Sequence, residues 1–373
     1  MPFGSKKTVD SDAILSVLRT VMDPDLKRDI VSLGFVKDLQ IKKGAVSFKV
    51  ELTTPACPVK DQLQQECERK VNDVPGVKSV NVEMTAQVQS AAPAAQPRGA
   101  VLEGVKNVVA VASGKGGVGK STTAANLALS LKQSGASVGL LDADVYGPSM
   151  QMMLGIKERP QVSDEKKLVP VDAHGLKVLS MALLQDPNKP VIWRGPMVHG
   201  LLQQFLRDVH WGELDYLVLD LPPGTGDAQL SISQIASISG AVIVTTPQDV
   251  SLLDARKGLE TFRQLKVPVL GIVENMSYFV CGHCSERTEI FRHGGARKAC
   301  EELRLEFLGE IPIDPRVVVG GDEGVPIVAR DPEAPAAKAY QEFSGKVAQQ
   351  LSMAAAEVAP EHPPIMPGRI DWE

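Results

Sequence analysis

Aromatic residues are scarce in this chain of 373, at 4% of the sequence. Any sizeable core must therefore be packed from Val, Leu, Ile, Ala and Met, which suits a parallel sheet covered by helices. No apolar run approaches the length of a membrane span, and the opening MPFGSKKTVDSD lacks the apolar centre of a secretory signal. The expectation is a cytosolic chain that does not enter a membrane. An excess of positive charge is also missing: the formal net charge is −5, which gives no general attraction to nucleic acid or to an anionic bilayer. The five cysteines are odd in number, and two of them form a C-x-x-C pair. They fit reduced thiols, a metal site or a redox site better than a disulfide framework.

The length favours two units. Residues 10–23 carry apolar positions at helical spacing until Pro24 stops the pattern. Two strand-like runs, 36–41 and 45–52, flank Lys43-Gly44 as a hairpin turn. A helix is expected to open near Pro58, and 77–84 reads as a third strand. Together these predict a small α+β domain over 9–86. Residues 87–104, rich in Ala, Gln and Pro, read as a mobile linker. From Asn107 onward, short β-prone runs alternate with helical patterns: 108–112, 138–141, 176–180, 216–219, 241–245, 269–273 and 307–311. That rhythm predicts a doubly wound, mostly parallel α/β domain over 105–354. The Pro-containing tail, 355–373, is expected to be disordered.

Gly114-Lys115-Gly116-Gly117-Val118-Gly119-Lys120-Ser121-Thr122 matches G-x-x-x-x-G-K-[ST] between an apolar strand and a helical run. Glycines at this spacing let backbone N–H groups close around phosphate. The helix N-terminus adds a positive dipole, Lys120 reaches the terminal phosphates, and Ser121 offers a hydroxyl to Mg²⁺. Lys115, second in the loop, is the signature lysine of the deviant Walker A ATPases, which the motif resembles. The resemblance implies a homodimer holding ATP at its interface, each Lys115 completing the partner's site. Asp142-Ala143-Asp144 and Asp220-Leu221-Pro222-Pro223-Gly224 end later strands. Asp220 looks like the Walker B carboxylate beside Mg²⁺, Gly224 like the switch glycine near the γ-phosphate, and Asp144 like the residue that positions the attacking water. Asp142 alone reads equally as a helix cap. Resemblance to the class also implies that Asn275 reads the adenine edge, with the loop of Pro312, Ile313 and Asp314 beside the base.

Cys281-Gly282-His283-Cys284 follows the Asn275 strand. Two thiolates are half of a tetrahedral zinc or [4Fe-4S] site, and a homodimer would bring the other half across its axis. Disulfide exchange would call for a thioredoxin-like domain, and a pair of free thiols is the plainest alternative. Cys67 and Cys300 lie on helical ladders and read as core. Cys57, just before a helix start, reads either as an activated thiolate or as a small buried hydrophobe.

The runs SGKGGVGKST, LLDADVYGPS, WRGP, DLPPGTGD, TTPQDVSLLDARKG, ENMSYFVCGHC and IPIDP resemble the Mrp-type (ApbC-like) iron-sulfur cluster carrier ATPases over nearly all of residues 9–350. The first unit, with TTPACP, is similar to the small iron-sulfur-assembly domain fused to them. The resemblance implies a labile [4Fe-4S] cluster held between two protomers and passed to apo-proteins, with Cys281 and Cys284 as ligands and ATP binding and hydrolysis affecting transfer. It implies assembly scaffolds and client proteins as partners. The N-terminal cysteine motif of one eukaryotic branch is lacking, and Phe291-Arg292-His293-Gly294-Gly295 departs from the family's usual Phe-Gly. Two other readings remain: a partitioning ATPase that switches on DNA or membrane, and an ATP-driven reductase bridged by a cluster.

Overall fold

The structure, a computed structural model, describes residues 9–91, 102–184, 195–224, 232 and 235–358. Linker residues 92–101, Trp193 and Arg194 of the WRGP run, residues 225–227 of the DLPPGTGD run, and tail residues 359–373 lie outside the described residues. The chain divides into two compact units, Met1–Val88 with Ser352–Glu373, and Gln89–Leu351.

In the first unit, helix α1 spans Ser11–Leu18, shorter than the apolar spacing predicts. The chain leaves the helix because Met22–Asp23 pairs with Arg28–Asp29, and the Asp23 carboxylate accepts the N–H groups of Asp25 and Leu26 to hold the turn between them. Strands β1 (Val36–Lys42) and β2 (Ala45–Leu52) form an antiparallel hairpin. Its two turn residues, Lys43 (φ 52°) and Gly44 (φ 88°), adopt the left-handed backbone that a tight hairpin needs. Helix α2 (Lys60–Asn72) opens two residues beyond Pro58 and returns the chain to β3 (Ser79–Ala86), parallel to β2. Val46, Phe48, Val50 and Leu52 alternate inward onto Ile14, Leu18, Leu63, Cys67 and Val71. Each such buried aliphatic side chain contributes roughly 1.5–3 kcal/mol.

The second unit is built on a nine-stranded sheet. Strand β4 (Val105–Ser113) is followed by α3 (Lys120–Gln133), β5 (Val138–Asp142), the short α4 (Met150–Met153), β6 (Val171–Ala173) and β7 (Leu176–Ser180). Then come α5 (Gly195–Arg207), β8 (Leu214–Asp220), β9 (Gly240–Thr245), α6 (Asp249–Gln264), β10 (Val269–Val280), β11 (Arg287–Thr288), α7 (Gly295–Leu303), β12 (Phe307–Ile313), α8 (Pro315–Asp322) and α9 (Pro335–Val358). The order is β6-β7-β5-β8-β4-β9-β10-β11, with β12 also on β10. The seven strands expected from the sequence are those that pair in parallel, and β6 and β11 add antiparallel edges. β4 lies between β8 and β9, so the chain winds to both sides of it, and the loop after β4 opens at the point where open α/β sheets bind ligands.

Two expected boundaries shift. Residues 89–91, read as linker, are tied to β4: Asn107 Nδ2 donates to Gln89 O at 2.9 Å, and Asn107 Oδ1 accepts from Ala91 N at 2.9 Å. Helix α9 runs through Val358, so residues 355–358 of the tail expected to be disordered are helical, because the Ala-rich stretch before the prolines favours helix. No helix among the described residues is long and apolar enough to cross a membrane.

Candidate functional site

Strand β4 delivers Gly114 into a turn whose left-handed residues, Gly117 (φ 80°) and Gly119 (φ 81°), lead into α3. Ser113 Oγ donates to Lys115 O at 2.9 Å inside this turn. Gly119 has no side chain to cap α3, so the free N–H groups of the first helical turn and the helix dipole are left for an anion. Two approaches require glycine. A Cβ on Gly114 would stand 2.3 Å from the backbone carbon of Asp254 in α6, and one on Gly119 would stand 2.2 Å from Asn275 Nδ2. The DARKG segment, which the sequence left without a role, thus abuts the loop through Asp254. Val118 is buried and Lys115 half-buried, while Gly116 and Gly117 are exposed. Ser121 and Thr122 open α3, and Thr122 O accepts from Asn126 Nδ2 at 2.8 Å.

Lys120 is 6% exposed, and its Nζ lies 2.5 Å from Asp220 Oδ1, 3.3 Å from Ser121 Oγ and 3.9 Å from Asp144 Oδ2. Burial pushes the Asp220 carboxyl above the usual range, against the pull of the Lys120 ammonium. Burial, and then the charge of Asp220, push Asp142 up to about 7. Asp142 nevertheless plays the capping part: Oδ2 accepts from Ser149 N (3.0 Å), Met150 N (3.2 Å) and Ser180 Oγ (2.9 Å), and Oδ1 from Asp144 N (3.2 Å). It fixes the turn into α4 and leaves Asp144 and Asp220 facing Lys120. Asp144 Oδ1 accepts from Gly147 N at 3.2 Å. Asp220 Oδ2 is buried with no hydrogen-bond partner among the described residues. A lone buried carboxylate oxygen, in a cluster where two carboxylates share one ammonium, suits a hard divalent cation.

Gly224 (φ 91°) is tied to the end of β4 by its N–H on Ser113 O at 2.9 Å. Asn275, 5% exposed on β10, gives one Nδ2 hydrogen to Val118 O at 2.9 Å, so it braces the phosphate loop. Pro312 is buried at the end of β12. Asp314 caps α8 by accepting from Arg316 N at 2.9 Å. Burial opposes the charge on Asp314, but the hydrogen bonds and charge of Arg316 prevail and hold its carboxyl below the ordinary range. That carboxylate is therefore committed to α8 and Arg316.

Beyond Asn275, β10 kinks at Met276 (φ 55°) and pairs again at Phe279 and Val280 with β11. Between them the chain makes a tight turn, with Cys281 N on Glu286 O and Ser285 N on Cys281 O, both at 2.9 Å. The N–H groups of Cys284 and His283, and then the Cys284 thiol, hold the Cys281 thiol below its usual range. Cys284 is exposed and Cys281 partly so. The described residues contain no group of three or more His, Cys, Asp or Glu that could hold a metal. Beside it, the Arg287 guanidinium stacks 3.8 Å from the Tyr278 ring and lies 3.3 Å from Glu310. The other cysteines contrast: burial raises Cys57 and Cys300 to about 11 and Cys67 to about 12. Cys57 is partly buried and packs against the core of the first unit. Glu274, fully buried on β10, was not singled out from the sequence, where the only signal was a carboxylate closing an apolar run.

Residues 104–348 match the family model described as NUBPL iron-transfer P-loop NTPase, and residues 11–84 match that of an iron-sulfur cluster assembly protein. The "Iron-sulfur cluster carrier protein" of Synechocystis sp. is 50% identical, over 92% of this chain and 99% of the relative. That of Deinococcus radiodurans is 49% identical, over 95% and 100%. Among solved structures, a nucleotide-binding protein in complex with ADP from Archaeoglobus fulgidus is 45% identical with a TM-score of 0.54, covering 60% of this chain and 88% of that one. A cell division ATPase MinD from Pyrococcus furiosus, 24% identical with a TM-score of 0.50 over 65% of this chain and 98% of that one, shares the fold.

Proposed function

The chain belongs to the NUBPL iron-transfer P-loop NTPase family, and from that premise we propose that it is an ATP-dependent iron-sulfur cluster carrier. Its cargo is a [4Fe-4S] cluster bridged by Cys281 and Cys284 of two protomers and passed to apo-proteins. The observation that carries this reading is the Cys281–Cys284 turn. One thiol is already lowered by backbone N–H groups, the other is open to solvent, and two further ligands must come from elsewhere. A second copy of the chain supplies the same pair by symmetry. A single zinc ion could be held by the same four thiolates, and the relatives named iron-sulfur cluster carrier proteins favour the cluster. No observation favours the partitioning or reductase readings, since the likeness to the MinD ATPase extends to the fold alone.

In this reading the N–H groups of Gly114–Thr122 wrap the phosphates of ATP, and Lys120 shares its ammonium between Asp220 and the terminal phosphate. Ser121 and Asp220 would hold Mg²⁺, which would supply positive charge to the phosphates. Asp144, beside Lys120, orients the attacking water. Lys115 reaches the partner protomer's phosphates, and Gly224 offers backbone next to the γ-phosphate. Asn275, Pro312 and Asp314 border the base, Asn275 with the donor hydrogen that Val118 leaves free. The partners are a second copy, assembly scaffolds and apo-protein clients in the cytosol, and neither nucleic acid nor membrane.

The test is transfer. Cluster-loaded protein, mixed with an apo-protein whose own [4Fe-4S] site is empty, should activate that acceptor at a rate that changes with ATP. The Cys284→Ala variant should not activate it. Acceptor activation equal to that by free iron and sulfide, with no effect of the variant, would refute the carrier reading.

A further inference from the structure

The cysteine turn joins the end of β10 to β11, in a stretch that runs from β10's buried residues to α7. Glu274 stands at the root of that stretch, and both of its oxygens are used there. Oε1 accepts from Ser277 Oγ at 2.6 Å, just where the strand kinks at Met276, and Oε2 accepts from Ala296 N at 2.8 Å, in the first turn of α7. The two partners bracket residues 278–295, which contain Cys281 and Cys284. Glu274 is fully buried, and no ion pair joins it among the described residues. Its charge is met by a hydroxyl and by the N-terminus of α7, whose cap residue, Gly294, offers no side chain. The next residue, Asn275, faces the other way and holds Val118 O of the phosphate loop.

A buried carboxylate is costly unless hydrogen bonds or an opposite charge offset its lost hydration, and here both oxygens are hydrogen-bonded. Here its position closes a loop of about twenty residues at its base, where one carboxylate ties the departing strand to the returning helix. We propose that Glu274, with Ser277, is the positioning residue for the cluster-binding turn: it clamps both ends of the 278–295 stretch and so fixes Cys281 and Cys284 relative to the phosphate loop. This rests on the reading of the two cysteines as cluster ligands. Glu274 touches neither the cluster nor the nucleotide and acts through the backbone it holds.

The experiment uses the full chain in two forms. On the metal-free protein, amide hydrogen exchange is followed over residues 278–295 and, as a control for global unfolding, over α3. On the cluster-loaded protein, the rate of iron loss to an iron chelator is measured. Ser277→Ala removes one arm of the clamp and Glu274→Ala removes both, while Glu274→Gln keeps the length, one acceptor and a donor that Ser277 Oγ can accept. Ser277→Ala should speed exchange of 278–295 by about tenfold without changing α3, and iron loss should accelerate in parallel. Glu274→Ala should exceed it, and Glu274→Gln should restore most of both.

Unchanged exchange across 278–295 in Ser277→Ala would overturn the clamp even if Glu274→Ala fails to fold. Faster exchange with unaltered iron loss would overturn its role in positioning the cysteines. If the wild-type chain takes up no cluster, the carrier reading fails by itself, and the exchange data on the metal-free chain still decide whether Glu274 holds the turn.

Discussion

The phosphate loop and the cysteine turn belong to the same compact unit, yet they are built in opposite ways. Around the loop most neighbours are committed, Asp220 Oδ2 excepted: Asp254 and Asn275 press on the loop glycines, Lys120 is 6% exposed, and Asp142 spends both oxygens on hydrogen bonds. The cysteine turn is open, with two thiols on a short hairpin and no third ligand among the described residues. The first is a closely packed loop, and the second, on the reading proposed above, is half of a site completed by another molecule. A carrier needs this division, because a cargo must be held by groups that can let it go, whereas phosphoryl chemistry rewards fixed charges.

The sharpest way to break the comparison is at Lys120. Lys120→Ala should lower the ATP hydrolysis rate by about 10²–10³-fold, measured by phosphate release, and near-normal turnover would remove the phosphate-loop assignment. The thiols give the next test. At pH 8 in the metal-free chain, iodoacetamide should alkylate Cys281 and Cys284 on the order of a hundredfold faster than Cys57, because burial holds Cys57 at about 11 while backbone N–H groups lower Cys281. Peptide mass spectrometry of the labelled sites reads the ratio, and equal rates would erase the contrast between core and presented cysteines.

A smaller effect separates the two regions by pH. Asp142 and Asp220 have folded-state pKa values above the ordinary carboxylate value, so the folded chain binds their protons more tightly than the unfolded chain does. Their contribution to stability is greatest below the ordinary carboxylate pKa and falls as pH rises toward 7. A divalent cation offsets the charge that then appears, so Mg²⁺ with ADP should raise Tm by a few degrees more at pH 8 than at pH 5. Equal shifts at both pH values would show that the carboxylate cluster does not feel the cation. The smallest expected effect lies in the return from the cysteine turn. Arg292 has φ 73°, and its guanidinium pairs with Asp249 on the surface. Arg292→Gly should stabilise the chain by about 0.5–1 kcal/mol, since the relief of left-handed strain outweighs an exposed ion pair. Denaturant unfolding would detect it.

Much of this was legible in the sequence because it depends on local pattern. The alternation of β-prone and helical runs marks the seven parallel strands, and the Lys43-Gly44 turn and the glycines of the phosphate loop mark backbone that other residues avoid. What was not legible depends on contacts across the sheet. The cap reading of Asp142 was open to the sequence, but nothing local shows that Ser180 would join its partners or that the Asn275 amide would reach Val118 O. The role of Glu274 is hidden for the same reason, since its partners lie on both sides of the 278–295 stretch. The usual Phe-Gly of the family is the exception: its departure at Arg292 is visible in the sequence and falls at a left-handed position.

The most direct test of the central claim is the iron content per chain of anaerobically reconstituted protein, measured together with its mass in solution. The account predicts about four iron atoms and four sulfides for every two chains, in a dimer that falls apart when the cluster is removed. It would be contradicted by four irons on a single chain, or by a dimer that holds zinc and no cluster.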